Sequence, residues 1–330
     1  MKTKSSIARI AKPNMLMGRY RAVCAARLLP LLLLMLPAVG QAQDYTYTIN
    51  NGAITITGYY GYDSAVTIPS MIDGLPVTSI GTWAFEDCTS LTSITIPNSI
   101  TSIGDGAFIM CFRLTNVTIG NSITSIGDEA FAGCYSLANV PIGNGVTSIG
   151  RFAFYHCDGL TSVTIPDSVT SIGVEAFEWC IGLTNVTIGN HVTSLGGYAF
   201  YKCTRLTEAC FRGNAPAIDS FAFYGDTNVT VYYLPGTTSW GSTFSGRPTA
   251  PWYLPNPLIL NNPSFGVQTN GFGFIISWAT NISVVVEACT NFTNPVWQPV
   301  QTNTLTDGWC YFSNPDWTNY PVRFYHLRSP

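Results

Sequence analysis

Cysteine and histidine are the residues of this chain whose chemistry would be easiest to recognise. The sequence has ten Cys and three His, and both types act as nucleophiles or metal ligands when they converge in an accessible site. His156, His191 and His326 have no second ligand at helical or strand spacing. Six Cys recur every 23 residues, at Cys88, Cys111, Cys134, Cys157, Cys180 and Cys203. This regularity predicts one buried, inert thiol in each unit of a repeating structure, because free Cys is among the most buried residue types.

Neither the carboxylates nor the known nucleotide-binding motifs indicate a catalytic or nucleotide-binding site. Glu175 and Glu178 are spaced as a general acid–base pair could be, but most neighbouring stretches have no counterpart, so we expect both side chains to be solvated. The sequence has no phosphate-binding loop, no nucleophile elbow and no dinucleotide fingerprint. We therefore expect a protein that is not an enzyme, with no catalytic, cofactor-binding or metal-ligating residues and no cofactor.

The regularly spaced Cys belong to a 23-residue repeat. Six copies run without insertion through residues 77–99, 100–122, 123–145, 146–168, 169–191 and 192–214, and a degraded seventh occupies 215–237. Such a fixed period is typical of a solenoid, in which each unit packs only on its neighbours. One column predicts an internal aromatic ladder of Phe85, Phe108, Phe131, Phe154, Phe177, Phe200 and Phe223.

The local elements follow from one copy, VTSIGVEAFEWCIGLTNVTIGNH at 169–191. The segment L-x-x-V-x-I predicts a short strand whose Thr side chains point outward, and V-T-S-I predicts a second strand. Short helical turns are expected around A-F. A Gly follows each V-T-S-I, and we expect it to supply a positive φ at a corner; the column is Gly81, Gly104, Gly127, Gly150, Gly173 and Gly196.

The pattern I-G-x-x-A-F-x-x-C-x-x-L-x-x-I-x-I-P resembles the leucine-rich repeats of the BspA type, which occur in bacterial surface and secreted proteins. The resemblance covers about residues 53–237. The Cys precedes the L-x-x-I-x-I core, whereas better-known leucine-rich repeats have Asn or Cys after it, so a horseshoe with a convex helix is not expected. The resemblance implies a mainly β leucine-rich-repeat solenoid, followed here by a small C-terminal β-sandwich-like domain.

Five segments are predicted from composition and pattern. They are a signal peptide (1–43), an N-terminal cap with a first partial repeat (44–76), the solenoid (77–237), a cap with a Pro-rich linker (238–263) and the C-terminal β domain (264–330). The first segment joins a basic stretch to LLPLLLLMLPAVG, an apolar run too short to span a bilayer. We therefore expect export, with no transmembrane segment after cleavage, and a secreted or cell-surface location.

Charge and the remaining Cys bear on partners and oxidation. Seven of the 15 Lys and Arg precede residue 28 and all 18 Asp and Glu follow residue 43, so the mature chain carries 8 − 18 = −10, which argues against nucleic-acid binding. Nine Cys would remain after cleavage, an odd number. Cys210 replaces an outward Thr and is expected to be exposed, and Cys289 and Cys310 could form a disulfide.

Variable positions beside the Phe and Cys columns are rich in aromatic residues. We expect about half of these side chains to pack between repeats and the rest to form an exposed binding ridge. The candidate ridge comprises Trp83, Phe112, Tyr135, Phe152, Tyr155, Trp179, Tyr198, Tyr201 and Tyr224.

The sequence is compatible with two functions. The first is a non-enzymatic secreted or surface adhesion protein whose solenoid binds an extracellular protein or a polysaccharide. The alternative is a carbohydrate-binding accessory protein that acts through the C-terminal domain, since five of the eight Trp follow residue 250. Ice binding by the Thr columns is disfavoured, because Pro141, Glu208 and Cys210 interrupt them.

Overall fold

The computed structural model describes residues 44–218, 221–269 and 271–329. The predicted signal peptide lies outside the described residues. From the N-terminal end to the seventh repeat the strands are β1 (Tyr45–Asn50), β2 (Ala53–Tyr59), β3 (Ala65–Thr67), β4 (Met71–Ile72), β5 (Leu75–Ile80), β6 (Ser93–Ile96), β7 (Ser102–Ile103), β8 (Asn116–Ile119), β9 (Ser125–Ile126), β10 (Ser148–Ile149), β11 (Ser162–Ile165), β12 (Ser171–Ile172), β13 (Asn185–Ile188), β14 (Ser194–Leu195), β15 (Glu208–Phe211), β16 (Ala217–Ile218) and β17 (Thr230–Tyr233).

The C-terminal part continues with further strands and one short helix. They are β18 (Thr243–Phe244), β19 (Arg247–Pro251), β20 (Leu258–Leu260), β21 (Gly266–Gln268), β22 (Gly271–Ser277), β23 (Ile282–Cys289), β24 (Gln298–Leu305), β25 (Trp309–Asn314), a 3-10 helix (Pro315–Asn319) and β26 (Phe324–Arg328).

Two parallel strand ladders run along the solenoid. The two-residue ladder consists of the Ser-Ile or Ser-Leu strands β7, β9, β10, β12 and β14, and extends through β5 to β2 at one end and to β16 at the other. The four-residue ladder is formed by β3-β6-β8 and, separately, by β11-β13-β15-β17-β19, with β18 beside β19. Equivalent residues pair in register, as Ser148 does with Ser171 and Val163 with Val186. This arrangement confirms the mainly β solenoid and its second strand at V-T-S-I.

The Phe column forms the predicted internal ladder. All seven rings are fully buried, and consecutive centroids lie 5.0 to 5.4 Å apart in near-parallel stacks. Tyr59 stacks on Phe85 at 5.1 Å and closes one end. At the other end Phe244 contacts Phe223 and Trp240 contacts Phe211. The ladder therefore joins every repeat to the next through buried aromatic surface, which offset stacking favours.

The A-F segment forms successive turns rather than a regular helix. Every second backbone N–H group donates a hydrogen bond to a carbonyl of the next repeat; the N–H of Phe85, for example, donates to the Ala107 carbonyl at 2.8 Å. The N–H groups between them donate within the same repeat and close local turns, as the N–H of Ala84 does to the Gly81 carbonyl at 3.3 Å. This alternation requires a left-handed residue within each turn. Trp83 with φ 55° and its equivalents meet this requirement, the others being Gly106, Glu129, Phe152, Glu175 and Tyr198.

The glycines that follow each V-T-S-I segment are required for a different reason from the positive φ that we predicted. None of these glycines has a positive φ, so the prediction of a left-handed corner is wrong. A Cβ on Gly173 would lie 2.6 Å from the backbone N of Arg151 and the carbonyl C of Gly150. Glycine is needed here because the backbones of successive repeats approach each other too closely for a side chain to fit between them.

Cys210 is buried, with 7% of its surface exposed, so the expectation of an exposed thiol is wrong. It pairs in register with Thr187 on one side and Tyr232 on the other. Side chains at paired positions of a parallel ladder share a face, and these neighbours therefore flank the thiol. Burial raises the pKa of Cys210 to about 11.

The C-terminal region contains two antiparallel sheets around a small core. One sheet contains β20, β22, β21 and β25, and the other has the order β24-β23-β26. Their shared core consists of Phe274, Ile276, Val284, Val286, Leu305 and Phe312. A second cluster of Leu234, Leu260 and Ile275 packs this region against the end of the solenoid. The small C-terminal β domain is confirmed.

Candidate functional site

The periodic thiols form a buried column beside the Phe ladder. Cys180 donates to the Phe154 carbonyl at 3.2 Å, and Cys111, Cys134, Cys157 and Cys203 make the same bond at 3.1 to 3.2 Å. These five thiols have no solvent-exposed surface, and desolvation by burial raises the pKa of Cys180 well above its usual value. Cys88, the sixth thiol of the column, is only half-buried, so the prediction of a buried thiol is wrong for the first copy. Because a reactive Cys needs a lowered pKa and solvent access, the column is structural.

Asp226 interrupts the thiol column at its C-terminal end. It follows Cys203 by one 23-residue period, and only 1% of its surface is exposed. Neither carboxyl oxygen has a hydrogen-bond partner in the described part of the chain. Burial raises the pKa of Asp226 to about 8, despite the opposing charge of Arg247. Sequence reasoning missed this residue, although its place in the Cys column was visible.

The candidate ridge lies on the turns that follow each buried Phe. Phe112 stacks on Tyr135 with centroids 5.3 Å apart, and Tyr135 meets His156 edge-on at 5.9 Å. His156 in turn stacks on Trp179 at 5.3 Å with an interplanar angle of 10°. His156 was not among the predicted ridge residues, yet its imidazole connects the two halves of the ridge.

The second half of the ridge continues without a break. Trp179 contacts Tyr201 at 6.4 Å, and Tyr201 contacts Tyr198 at 5.4 Å and Tyr224 at 5.7 Å. Phe221, also absent from the predicted set, stacks on Tyr198 at 5.5 Å. The structure thus links eight of the nine predicted residues through ring contacts, with Phe152 and Tyr155 joined to His156 from the side. Within the described residues, Trp83 makes no such ring contact.

We define the aromatic ridge as the connected set Phe112, Tyr135, Phe152, Tyr155, His156, Trp179, Tyr198, Tyr201, Phe221 and Tyr224. Tyr135, Phe221 and Tyr224 are 43%, 44% and 53% exposed, and the others are half-buried. Each repeat therefore anchors part of its aromatic surface and presents the rest to solvent. The seven half-buried members need no separate anchor, because neighbouring rings hold them.

Cations and a cavity accompany the rings. The Lys202 ammonium lies 4.9 Å from the centroid of Trp179, and the Arg151 guanidinium lies 5.5 Å from that of Phe152, distances at which a cation is attracted to a ring face. A cavity of about 370 Å³ opens among these turns, lined by Ile109, Met110, Glu129, Ala132, Gly133, Tyr135, Phe152, Tyr155 and His156. Its mainly apolar walls with few polar groups are typical of a recognition pocket.

Glu178 lies beneath the ridge and is 8% exposed, so the expectation of a solvated side chain is wrong for this residue. Its carboxyl group hydrogen-bonds to that of Glu175. Burial, and then the neighbouring Glu175, raise the pKa of Glu178 to about 7. The Glu178 carboxyl group is therefore held protonated at a pH where an exposed Glu has already ionised.

We predict that Glu178→Gln removes part of the pH dependence of stability. The pKa of Glu178 in the folded chain is about 7 against its usual 4.5, so the wild-type free energy of unfolding is highest below pH 4.5 and falls as the pH rises to 7. Gln stays neutral and keeps a donor for Glu175. Urea unfolding between pH 4 and 8 should show a shallower fall for the variant. Glu129→Gln is the control, because Glu129 occupies the position of Glu175 two repeats earlier and is exposed. If the free energy of unfolding fell equally steeply with pH in both variants, the prediction would be contradicted.

The Trp residues of the C-terminal region are divided between core and surface. Trp252 and Trp278 pack against the two hydrophobic clusters. Trp309 is 41% exposed, and Trp297 contacts His326 at 5.2 Å. His326 and Arg328 both bind Glu287, at 3.4 and 2.8 Å. Cys289 and Cys310 lie in different sheets and both are free thiols, so the structure does not contain the disulfide that we considered.

Two kinds of feature are absent from the residues that the structure describes. Within 44–218, 221–269 and 271–329, no group of three or more His, Cys, Asp or Glu has the arrangement to hold a metal ion. The same residues contain no helix long and apolar enough to cross a membrane.

Comparisons with known proteins agree with the repeat pattern. The model of the BspA type leucine-rich repeat region matches residues 59–173 and 147–246, with six copies. A leucine-rich repeat protein of T. pallidum is 32% identical over 60% of this chain and 85% of its own, with a TM-score of 0.51. A leucine-rich cell surface protein from Faecalibacterium prausnitzii is 34% identical over 58% of this chain and 53% of its own, with a TM-score of 0.54. No curated protein matches the chain.

Proposed function

The chain belongs to the BspA-type leucine-rich repeat family, and from this membership we propose that it is a non-enzymatic adhesion protein, exported to the bacterial surface or beyond, whose aromatic ridge binds an extracellular protein. The family consists of bacterial surface proteins suited to binding, and one similar structure is described as a cell surface protein. The observation that carries the proposal is the unbroken series of ring contacts along six repeats.

The composition of the ridge favours a protein partner. Tyr, Trp, Phe, Met and Arg are enriched at the centres of protein interfaces, and binding energy concentrates in such anchors when they sit in well-packed surroundings. The ridge has rings held by their neighbours, with Met110 and Arg151 beside them. From the second to the seventh repeat it spans five inter-strand spacings, roughly 24 Å, which is enough to contact a folded domain.

We predict that replacing Tyr135 and Tyr224 with Ala weakens partner binding at least tenfold without unfolding the protein. Both rings are substantially exposed, so their removal leaves the buried core intact. The chain from Asp44 onward would be screened against extracellular-matrix proteins, and the Kd of each partner found would be measured for wild type and variant. Tyr62→Ala is the control, since that ring is 91% exposed and lies outside the ridge. Unchanged binding by the double variant, or equal loss in the control, would contradict the proposal.

A second candidate function is carbohydrate binding by the C-terminal domain. The exposed ring of Trp309, and Trp297 beside the Glu287–His326–Arg328 group, are the observations that favour it. Saccharide binding that is lost in Trp297→Ala and Trp309→Ala, and retained in the ridge variant, would establish this alternative.

A further inference from the structure

The four-residue ladder is interrupted in the third repeat. Strands β8 and β11 are the facing ends of two separate sheets, and residues 139–142 between them form no strand. Pro141 occupies the column that holds Thr118 in the second repeat and Thr164 in the fourth. Because Pro has no N–H and is poorly accommodated inside a sheet, the substitution explains the interruption.

Backbone hydrogen bonds locate the opening between the third and fourth repeats. Ala138 donates to the Thr115 carbonyl at 3.2 Å, and Thr184 donates to the Thr161 carbonyl at 2.9 Å. The equivalent bond from Thr161 to Ala138 is absent from the described part of the chain. A single isolated bridge, Asn116 to Asn139, joins this segment to β8. One edge of β11 is therefore unpaired.

The rest of the solenoid remains closed at this level. The two-residue ladder continues from β9 through β10 to β12, and Phe131 stacks on Phe154 at 5.4 Å, the widest interval of the Phe ladder. An added strand would need about 4.8 Å of extra separation, which these contacts do not allow. The opening is thus a slit in one face and not a site for strand addition.

A cavity of about 510 Å³ lies over the slit, and we call it the Pro141 groove. Its lining residues are Asn139, Val140, Pro141, Ile142, Asn144, Ser162, Thr164, Ile165, Pro166, Asp167, Ser168 and Arg212. Val140, Ile142 and Ile165 are buried and form an apolar floor. Among the described contacts, the side chains of Asn139, Asn144, Ser162, Thr164 and Arg212 have no hydrogen bond or ion pair. They are available to a ligand.

The formal charges of the groove lining balance. Asp167 and Arg212 supply one negative and one positive group, and all other polar lining groups are neutral amides or hydroxyls. A suitable ligand must donate and accept several hydrogen bonds, carry no net charge and present an apolar face to the floor. The hydroxyl groups and C–H faces of a neutral pyranose meet these requirements, and the volume lies within the usual range of about 300–1,000 Å³ for ligand pockets.

We propose that the Pro141 groove binds a neutral saccharide unit through its unpaired amide, hydroxyl and guanidinium groups. This site is separate from the aromatic ridge and gives the solenoid a second ligand class. The groove exists because of one residue, so a substitution that repairs the ladder should remove the site without harming the fold.

The decisive variant is Pro141→Thr, which restores the column residue and its N–H. Wild-type chain, from Asp44 onward, would be titrated by calorimetry with neutral glucan, mannan, galactan and xylan oligosaccharides. We expect at least one to bind, and Pro141→Thr to bind at least tenfold more weakly while unfolding at an equal or higher denaturant concentration. Thr95→Ala, in the same column on β6, is the control for the face outside the groove.

Hydrogen exchange provides an independent readout of the slit. The amides of β11 should exchange faster than those of β13 in the wild type and become protected in Pro141→Thr. The Tyr135→Ala, Tyr224→Ala variant should retain saccharide binding, so this proposal and that of the ridge fail separately. Absence of binding by all four oligosaccharide classes, binding that survives Pro141→Thr, or binding of unstructured peptides in their place would overturn the inference.

Discussion

Replacing Asp226 with Cys is expected to raise the free energy of unfolding at pH 7 by about 4 kcal/mol. The pKa of this buried carboxyl group is about 8, against its usual 3.8, so the folded chain holds it protonated at a pH where the unfolded chain ionises it. Because pH 7 lies about 3 units above the unfolded-state pKa of 3.8 and each unit corresponds to about 1.4 kcal/mol, the difference at this pH is about 4 kcal/mol. Cys restores the residue type of the column, whose thiols bond to Phe carbonyls in the preceding repeats.

The pH profile identifies the cause of that gain. Wild-type stability should fall as the pH rises from about 4 to 8 and then level off, because the unfolded chain loses its proton first. The advantage of Asp226→Cys should therefore be small near pH 4 and largest above pH 8, as measured by urea unfolding. Asp307→Asn, which changes an exposed carboxyl group, should shift stability by less than about 0.5 kcal/mol. A gain that is constant with pH would contradict the argument.

Replacing Phe154 with Ala is expected to cost about 3–5 kcal/mol, the usual range for removing a buried aromatic ring. The ring stacks on Phe131 at 5.4 Å and on Phe177 at 5.0 Å. It also lies beside the interruption at Pro141, where the four-residue ladder contributes nothing. The two-residue ladder and the turn hydrogen bonds, such as that from Phe131 to the Ala153 carbonyl, would then be the main coupling between the two halves. This coupling is weaker than at the other levels, so the variant should unfold in two transitions.

Trp fluorescence and hydrogen exchange can follow the two halves, since Trp83 lies before the interruption and Trp179 after it. Phe200→Ala is the matched control, because Phe200 has similar stacking distances of 5.2 and 5.3 Å and the β13–β15 pairing beside it is complete. We expect a similar cost but a single transition in that control. Identical cooperativity in both variants would show that the interruption does not weaken coupling in the solenoid.

The periodic part of the fold could be predicted because burial acts on every repeat alike. The columns of Phe85 and Cys111 hold the same residue in six copies while the residues between them vary, so the column alone indicates an interior position. The Gly173 column shows the limit of this reasoning. The recurring glycine shows that no side chain is tolerated at this position, but it does not show whether the backbone conformation or a neighbouring repeat is the reason. In the structure, backbone atoms of the preceding repeat lie 2.6 Å from where the Cβ would be, and this close approach is the cause.

Contacts among variable positions were harder to anticipate. His156 joins the ridge because Tyr135 and Trp179, 21 and 23 residues away in the sequence, are brought to its two sides. Glu178 is buried, which no property of Glu indicates. Pro141 and Asp226 were visible as exceptions to their columns, yet the groove and the raised pKa depend on geometry that only the folded chain supplies.

The thiol column also equips the molecule with its own set of chemical reporters. Five successive repeats each hide one sulfur that has no exposed surface, and every such sulfur belongs to a different level along the axis. An alkylating reagent can modify a given Cys only after its own repeat has opened. Mass spectrometry of the labelled peptides therefore gives the order in which the repeats open, with no engineered probe and no change to the native sequence.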